Sequence, residues 1–215
     1  MAEAEPRPKR SKPLNRDRVI AAAAALATAE GLSSLTMRSL AADLGVKPMS
    51  LYNHIGGKED LLDGMVDFVF AQIDRPDPKG PWRSELRARS VSVRAVLARH
   101  PWALTLMDSR SSPGPATMAH HDAVAGVLLN SGFTPAMATR AYTVIDAYLY
   151  GFVLQEAAIP DADPEVGLSM GAAAEAYPYL TALAEGHLLQ PGYAFADDFD
   201  PGLDLVLDAV EALLK

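Results

Sequence analysis

The 215 residues contain no cysteine, which excludes disulfides and thiolate metal sites and fits a reducing compartment. Long apolar runs are also missing. The alanine-rich IAAAAALA falls far short of the roughly 20 residues that span a bilayer, so no membrane partner is expected. Alternation of apolar and polar residues with period two is absent throughout, which removes candidate strands and leaves an all-α fold. The opening MAEAEPRPKRSKP has no apolar segment behind its basic residues and does not read as a signal peptide. Residues 1–14 are expected to be a flexible tail on a cytoplasmic protein.

Basic residues are scarce in one part of the chain only. Residues 59–215 carry ten Lys or Arg against twenty-two Asp or Glu, a balance of −12. Residues 1–58 carry nine against five, a balance of +4. The net charge of −8 therefore hides a basic head, as expected of a small module that meets phosphates on an acidic body that does not.

Within that head the local signals are dense. Asn15 can cap a helix whose apolar face is Val19, Ile20, Ala23, Leu26 and Ala27, and Gly31 ends it. Thr36 can cap a short helix that turns Leu40, Ala41 and Leu44 inward before Gly45. Pro48 suits the first position of a third helix running to about Ile55. Two short helices joined by a tight Gly-containing turn make a helix-turn-helix over residues 15–57, and its second helix can enter a major groove. With Val46, Leu51 and Ile55 facing inward, Lys47, Pro48, Met49, Ser50 and Asn53 become the base-reading candidates. Tyr52 and His54 lie at the flanks, where their polar tips could reach phosphate oxygens. Lys58 opens the next helix, where helix-start amides and an ammonium could both meet a phosphate; Glu59 and Asp60 also make it tolerable as an ordinary solvated lysine.

The stretch from Val19 to Asp67 resembles the DNA-binding domain of the TetR family of bacterial transcriptional regulators. The likeness rests on the alanine-rich first helix ending in EG, on the pattern from Leu35 to Val46, on LYNH at 51–54, and on Lys58 followed by a Leu-Leu pair. It implies that the helix at 48–54 reads bases and that Thr36, Arg38, Tyr52, His54 and Lys58 touch or approach the DNA backbone. Two departures from the usual pattern stand out. PMS precedes Leu-Tyr, which alters the sequence to be read, and Gly56-Gly57 replaces a polar pair before the lysine, which loosens the entry to the fourth helix.

Residues 58–74 are expected to form a connecting helix with a stripe of Leu61, Leu62, Met65, Phe68 and Val69, followed by a proline-rich break over 74–81. Further helices are expected near 82–99, 101–108, 115–130, 135–157, 165–184 and 202–214, the last capped by Asp200 or a neighbour. The chain's end is similar to the regulatory domain of the tetracycline repressor subgroup, which implies a regulatory and dimerisation domain over 82–215. By that resemblance the helix at 135–157 and the last helix pair two subunits, with Ala141, Ile145, Tyr148, Leu203, Val206, Leu207 and Val210 as interface candidates; the same residues could equally be intramolecular core.

A ligand cavity is likewise implied by the family. Trp82, Trp102, Met107, Met118, Tyr142, Tyr148, Phe152 and Tyr177 are available to line it. The adjacent His120 and His121 point two ways on a helix, so no metal or other cofactor is expected, and no nucleophile and base share a defensible spacing. The expected partners are an operator in double-stranded DNA, a second copy of the chain, and a neutral or cationic, largely apolar effector. The resulting reading is a ligand-responsive regulator, most often a repressor, associated with the nucleoid when bound. A helical ligand-binding or scaffold protein without operator recognition, and an all-helical enzyme, are the alternatives.

Overall fold

The computed structural model describes residues 13–109, 112–159 and 176–214. Every regular element among them is helical. Helix α1, Arg16–Glu30, starts where the Asn15 side chain accepts from the Arg18 amide at 2.9 Å. Its buried residues are Val19, Ile20, Ala23, Ala24 and Ala27, and the three alanines let neighbouring axes approach closely. Helix α2, Met37–Asp43, has a reciprocal cap: Thr36 Oγ1 accepts from the Ser39 amide at 3.0 Å, while Ser39 Oγ accepts from the Thr36 amide at 2.9 Å. Gly45 follows at φ 67°, a left-handed position that suits glycine.

Helix α3, Pro48–Leu51, is shorter than the sequence pattern suggests. The His54 and Ile55 amides both return to the Leu51 carbonyl, so the chain closes as a turn, and Gly56-Gly57 leads it into the next helix with Gly57 at φ 141°. Leu51 and Ile55 are buried, and the segment is seated on α2. Burying a leucine side chain fully stabilises by about 1.5–3 kcal/mol.

Helix α4, Lys58–Phe70, belongs to both halves of the molecule. Within it, Gly64 faces Ile20, and an added Cβ would lie 2.6 Å from Ile20 Cδ1, so a larger residue here would have to push the isoleucine tip aside. Arg16 of α1 forms two hydrogen bonds to Asp60 of α4, both 2.7 Å. Asp60 also accepts from the Gly56 amide at 2.7 Å, and the three bonds fasten α1, the Gly-Gly turn and α4 together. The Arg16 hydrogen bonds, then the Gly56 amide, hold the Asp60 carboxyl down to about 2.

The body comprises α5 (Trp82–Arg99), α6 (Ala103–Ser109), α7 (Pro115–Asn130), α8 (Pro135–Ala158), α9 (Pro178–Leu183) and α10 (Phe199–Glu211). Thr134 caps α8, the longest helix. Helix α6 begins after Pro101 and Trp102, slightly later than expected. Of the helix expected over 165–184, residues 165–175 lie outside the described residues; α9 continues into a π-helical turn at Ala184–Leu188. Helix α10 starts three residues before the expected position, because Pro201 fits within a first helical turn. The expected Asp200 does not cap it but lies in its first turn, paired with Arg87 at 2.8 Å; the residue at the cap position is Asp198, whose side chain accepts from the Tyr193 hydroxyl at 2.9 Å and not from the helix. No described helix is long and apolar enough to cross a membrane.

Candidate nucleic-acid interface and body cavity

The head presents α3 outward. Lys47, Pro48, Met49 and Asn53 are exposed, Met49 at 74 %, and Ser50 is half-buried beside them. Tyr52 is exposed and His54 half-buried at the end of the same segment. Thr36 and Arg38 are exposed at the start of α2, and Lys58 is exposed at the start of α4. The Thr36 hydroxyl is engaged by its own helix cap, so a phosphate would meet it beside that bond. Among the described residues no carboxylate pairs with Arg38, Lys47 or Lys58, which leaves three cations on this side with their charge uncompensated. The N-cap of α4 is Gly57, with no capping side chain, so the helix-start amides beside Lys58 lack that internal acceptor.

A half-open cavity of about 830 Å³ lies between α4 and the body. Its walls come from Val66 and Phe70 of α4, Leu104, Thr105 and Met107 of α6, Ser112 and Pro113 of the following loop, Thr117 and His121 of α7, and Asp146, Tyr150, Gly151 and Leu154 of α8. Apolar groups dominate, and the titratable ones, His121, Asp146 and Tyr150, lie on α7 and α8.

Behind that polar wall lies a buried network. Arg89 of α5 is 1 % exposed and donates from Nε to His120 Nε2 at 3.0 Å and from Nη1 to Asp146. Its guanidinium also sits 5.4 Å from the centre of the Tyr142 ring. Burial opposes the Arg89 charge, but Asp146 and the Tyr150 and Tyr142 hydroxyls outweigh it and raise its pKa. Burial first, then the Arg89 charge, push His120 down to about 3. Because the neutral His120 accepts at Nε2, its proton sits on Nδ1, which has no partner among the described residues. His121 Nδ1 pairs with the Tyr142 hydroxyl, and burial lowers this imidazole's pKa as well. Tyr150 is pushed up to about 12 by burial and by Asp146. The two adjacent histidines do diverge: His120 goes to the buried arginine, His121 to the cavity wall.

Of the eight residues expected around a cavity, Met107 lines it. Tyr142 stands behind His121. Trp82 packs edge-on to Phe133, with ring centres 5.5 Å apart. Trp102 is buried at the junction with the head, where its Nε1 donates to Thr28 Oγ1 at 2.9 Å. Tyr148 and Phe152 pack on Phe199, and the Tyr148 hydroxyl donates to the Phe199 carbonyl at 2.7 Å. Met118 and Tyr177 are exposed. Val66, Phe70, Thr117, His121, Asp146 and Tyr150 form walls that the expected aromatics do not; the four-residue spacing from Asp146 to Tyr150 to Leu154, and from Thr117 to His121, is the sequence signal for the part on α7 and α8.

The expected dimer residues divide in the same way. Ala141, Ile145, Leu203, Leu207 and Val210 are buried in the protomer's own core, because α8 and α10 pack against each other along those stripes. Tyr148 and Val206 are half-buried, and the exposed apolar residues on these helices include Val144 and Leu205, the latter at 72 %. Among the described residues no three His, Cys, Asp or Glu side chains gather at a spacing that could hold a metal.

Comparison with known proteins places both halves. Residues 19–65 match the model of bacterial regulatory proteins of the tetR family, and residues 75–214 match that of the tetracyclin repressor-like C-terminal domain. The HTH-type transcriptional repressor DrrR1 of Streptomyces coeruleorubidus is 34 % identical over 228 aligned positions, covering 97 % of this chain and 82 % of DrrR1. The class C tetracycline repressor protein of Escherichia coli is 30 % identical, covering 93 % of this chain and 92 % of its own. Among solved structures, ActR of Streptomyces coelicolor in complex with actinorhodin superposes with a TM-score of 0.77 at 25 % identity, over 94 % of this chain and 98 % of ActR. The all-α architecture, the helix-turn-helix head and the matches across both halves show that this chain belongs to the TetR family of bacterial transcriptional regulators, ligand-responsive proteins that bind DNA as homodimers.

Proposed function

We propose that the chain represses transcription by holding an operator as a dimer, with Lys47, Pro48, Met49, Ser50 and Asn53 reading bases and Thr36, Arg38, Tyr52, His54 and Lys58 engaging the backbone. The observation that carries this reading is the pairing of an exposed α3 with three uncompensated cations around it. One short reading helix makes few base contacts, and two-fold symmetry doubles them across roughly 34–36 Å, one turn of DNA. The outer faces of α8 and α10, with Val144 and Leu205 exposed and Tyr148 and Val206 half-buried beside them, are the surfaces we assign to that pairing.

We assign the effector to the body cavity, and propose that it is neutral or cationic and largely apolar. ActR, whose fold matches this one, binds actinorhodin in its complex, which supports a ligand role for a body cavity of this architecture. Among the described residues neither Lys nor Arg lines the cavity, Asp146 presents a carboxylate held from behind by Arg89, and the histidine on the wall is biased to neutrality. The Arg89 charge behind the wall is already paired with Asp146, so an anion would find no free cation among the described lining residues to offset its desolvation.

Binding to a selected operator and to a scrambled duplex across a salt series tests the head. Asn53→Ala should reduce discrimination by about 1–3 kcal/mol, whereas Lys58→Ala should weaken both duplexes alike and lower the salt slope by about one unit. An Asn53 variant with unchanged sequence preference would reject that residue's role.

A further inference from the structure

Besides Gln72 to His100 and the Asp74 amide to Ser92, two hydrogen-bonded side-chain contacts between the halves differ in consequence. At one, Trp102 donates to Thr28, but neither residue lines the cavity. At the other, Asp67 of α4 reaches the start of α7. Asp67 Oδ1 accepts from the Thr117 amide at 2.8 Å and from Thr117 Oγ1 at 3.0 Å.

This contact caps a helix from outside. The N-cap of α7 is Gly114, which has no side chain, and Pro115 follows it. A carboxylate from α4 supplies the acceptor that an Asp or Ser would normally provide from the N-cap itself. Gly114 is what admits it: a Cβ there would lie 2.3 Å from Asp67 Cγ. The backbone at Gly114, with φ −80°, is open to any residue, so the demand for glycine is steric and comes from Asp67.

Thr117 also forms part of the cavity wall, and on α4 the residues flanking Asp67, Val66 and Phe70, form another part. Whatever fills the cavity therefore touches both ends of the contact. A displacement of α7 by an occupant must stretch the Thr117 bonds or drag Asp67, and α4 carries the DNA-binding head.

We propose that the Asp67–Thr117 contact is the latch through which cavity occupancy reaches the head, with Asp67 as the positioning residue that sets the angle of α4. The proposal rests on the regulator reading above. Its specific content is that this one cross-helix cap carries the coupling.

The absence of cysteine makes a direct test practicable. Ala25→Cys on the exposed face of α1 gives one spin label per subunit, and the homodimer then yields a single distance between heads by pulsed electron paramagnetic resonance. Gly151 lines the cavity, and an added Cβ there meets nothing within 4 Å, so Gly151→Phe fills the space without any ligand.

The expected result is a shift in the inter-head distance on introducing Gly151→Phe, and loss of most of that shift when Asp67→Ala is also present; Thr117→Val, which keeps the amide bond and loses only the hydroxyl one, should lose part of it. Asp67→Asn, which keeps an acceptor, should retain it. Gly114→Ala should move the heads with the cavity unfilled, by wedging α4 from α7. Thermal midpoints recorded alongside separate this from a structural role, which would lower stability and leave the Gly151→Phe shift intact. An equal shift with and without the latch, or unmoved heads in Gly151→Phe, overturns the proposal. No measurable inter-head distance in the parent Ala25→Cys protein would instead overturn the dimeric regulator reading, and the latch with it.

Discussion

Every buried side chain described in the head, residues 15–57, is apolar, whereas the body buries Arg89, Ser90, Thr117 and His120 among its leucines and valines. The head closes through contacts near in sequence: Asn15 to Arg18, Thr36 to Ser39, Leu51 to Ile55. The body closes through contacts made at a distance, such as Arg89 to His120 and to Asp146. A module that must present one rigid face to DNA is built from short-range signals and small apolar residues. A module that must respond to an occupant keeps polar groups inside, where a changed neighbour alters their energies most.

The contrast can be broken most severely at Arg89. Arg89→Leu strands Asp146 and His120 beside the cavity, and breaking a buried pair of this kind costs about 3–5 kcal/mol. Replacing both partners, with Arg89→Met and Asp146→Leu together, should recover most of that loss. Urea unfolding of the three proteins measures it, and a double variant no more stable than Arg89→Leu would show that the pair is not the source of the loss. In the head the comparable change is Leu51→Ala, expected to cost about 2–5 kcal/mol by the same measurement and to release α3 from its seat.

A pH series distinguishes the halves by window. His120 is held near 3 in the folded protein against an ordinary value of 6.5, so between those limits the unfolded chain binds the extra proton and stability falls as pH is lowered. The slope from one such group is at most about 1.4 kcal/mol per pH unit. His120→Gln should flatten the curve in that window. The head's contribution comes later: Asp60 is held at about 2 against 3.8, so its stabilisation is present above the ordinary carboxylate range and lost as pH falls from there toward 2. Asp60→Asn should lower stability above the carboxylate range and flatten that acid limb, leaving the His120 window unchanged. The smallest effect belongs to the α2 cap, where Thr36→Ala should cost about 1 kcal/mol and Thr36→Ser much less, as read by thermal unfolding.

How legible each half was in the sequence follows the same division. Asn15, Thr36, Gly45 and Pro48 carry their reasons within a few residues of themselves, so the head's helices and outward face could be read directly. Only the length of α3 departed, because a Gly-Gly pair and two amides sharing the Leu51 carbonyl close it as a turn. The body's helices were legible by period, but its cavity was not: the large aromatics that suggested a lining mostly pack on one another, while α4 and the i, i+4 pairs on α7 and α8 form the walls. Arg89 reads as a solvated arginine among several, although it falls on the stripe of Leu86, Val93 and Val96 and so sits on the helix's apolar side. Its partners on α7 and α8 are brought to it only by packing.

Trp102 has a use that none of the other junction residues offers. The chain has two tryptophans, and one of them places its indole N–H on the head's Thr28 from within a buried site, while the other lies against Phe133 in the body. Ultraviolet emission from Trp102 therefore reports on the seam between the halves, with Trp82 as an internal reference. Trp82→Phe would leave that seam as the sole emitter, and a head that undocks would expose the indole to water and move its emission to longer wavelength. The regulator carries its own optical gauge of whether head and body are in register.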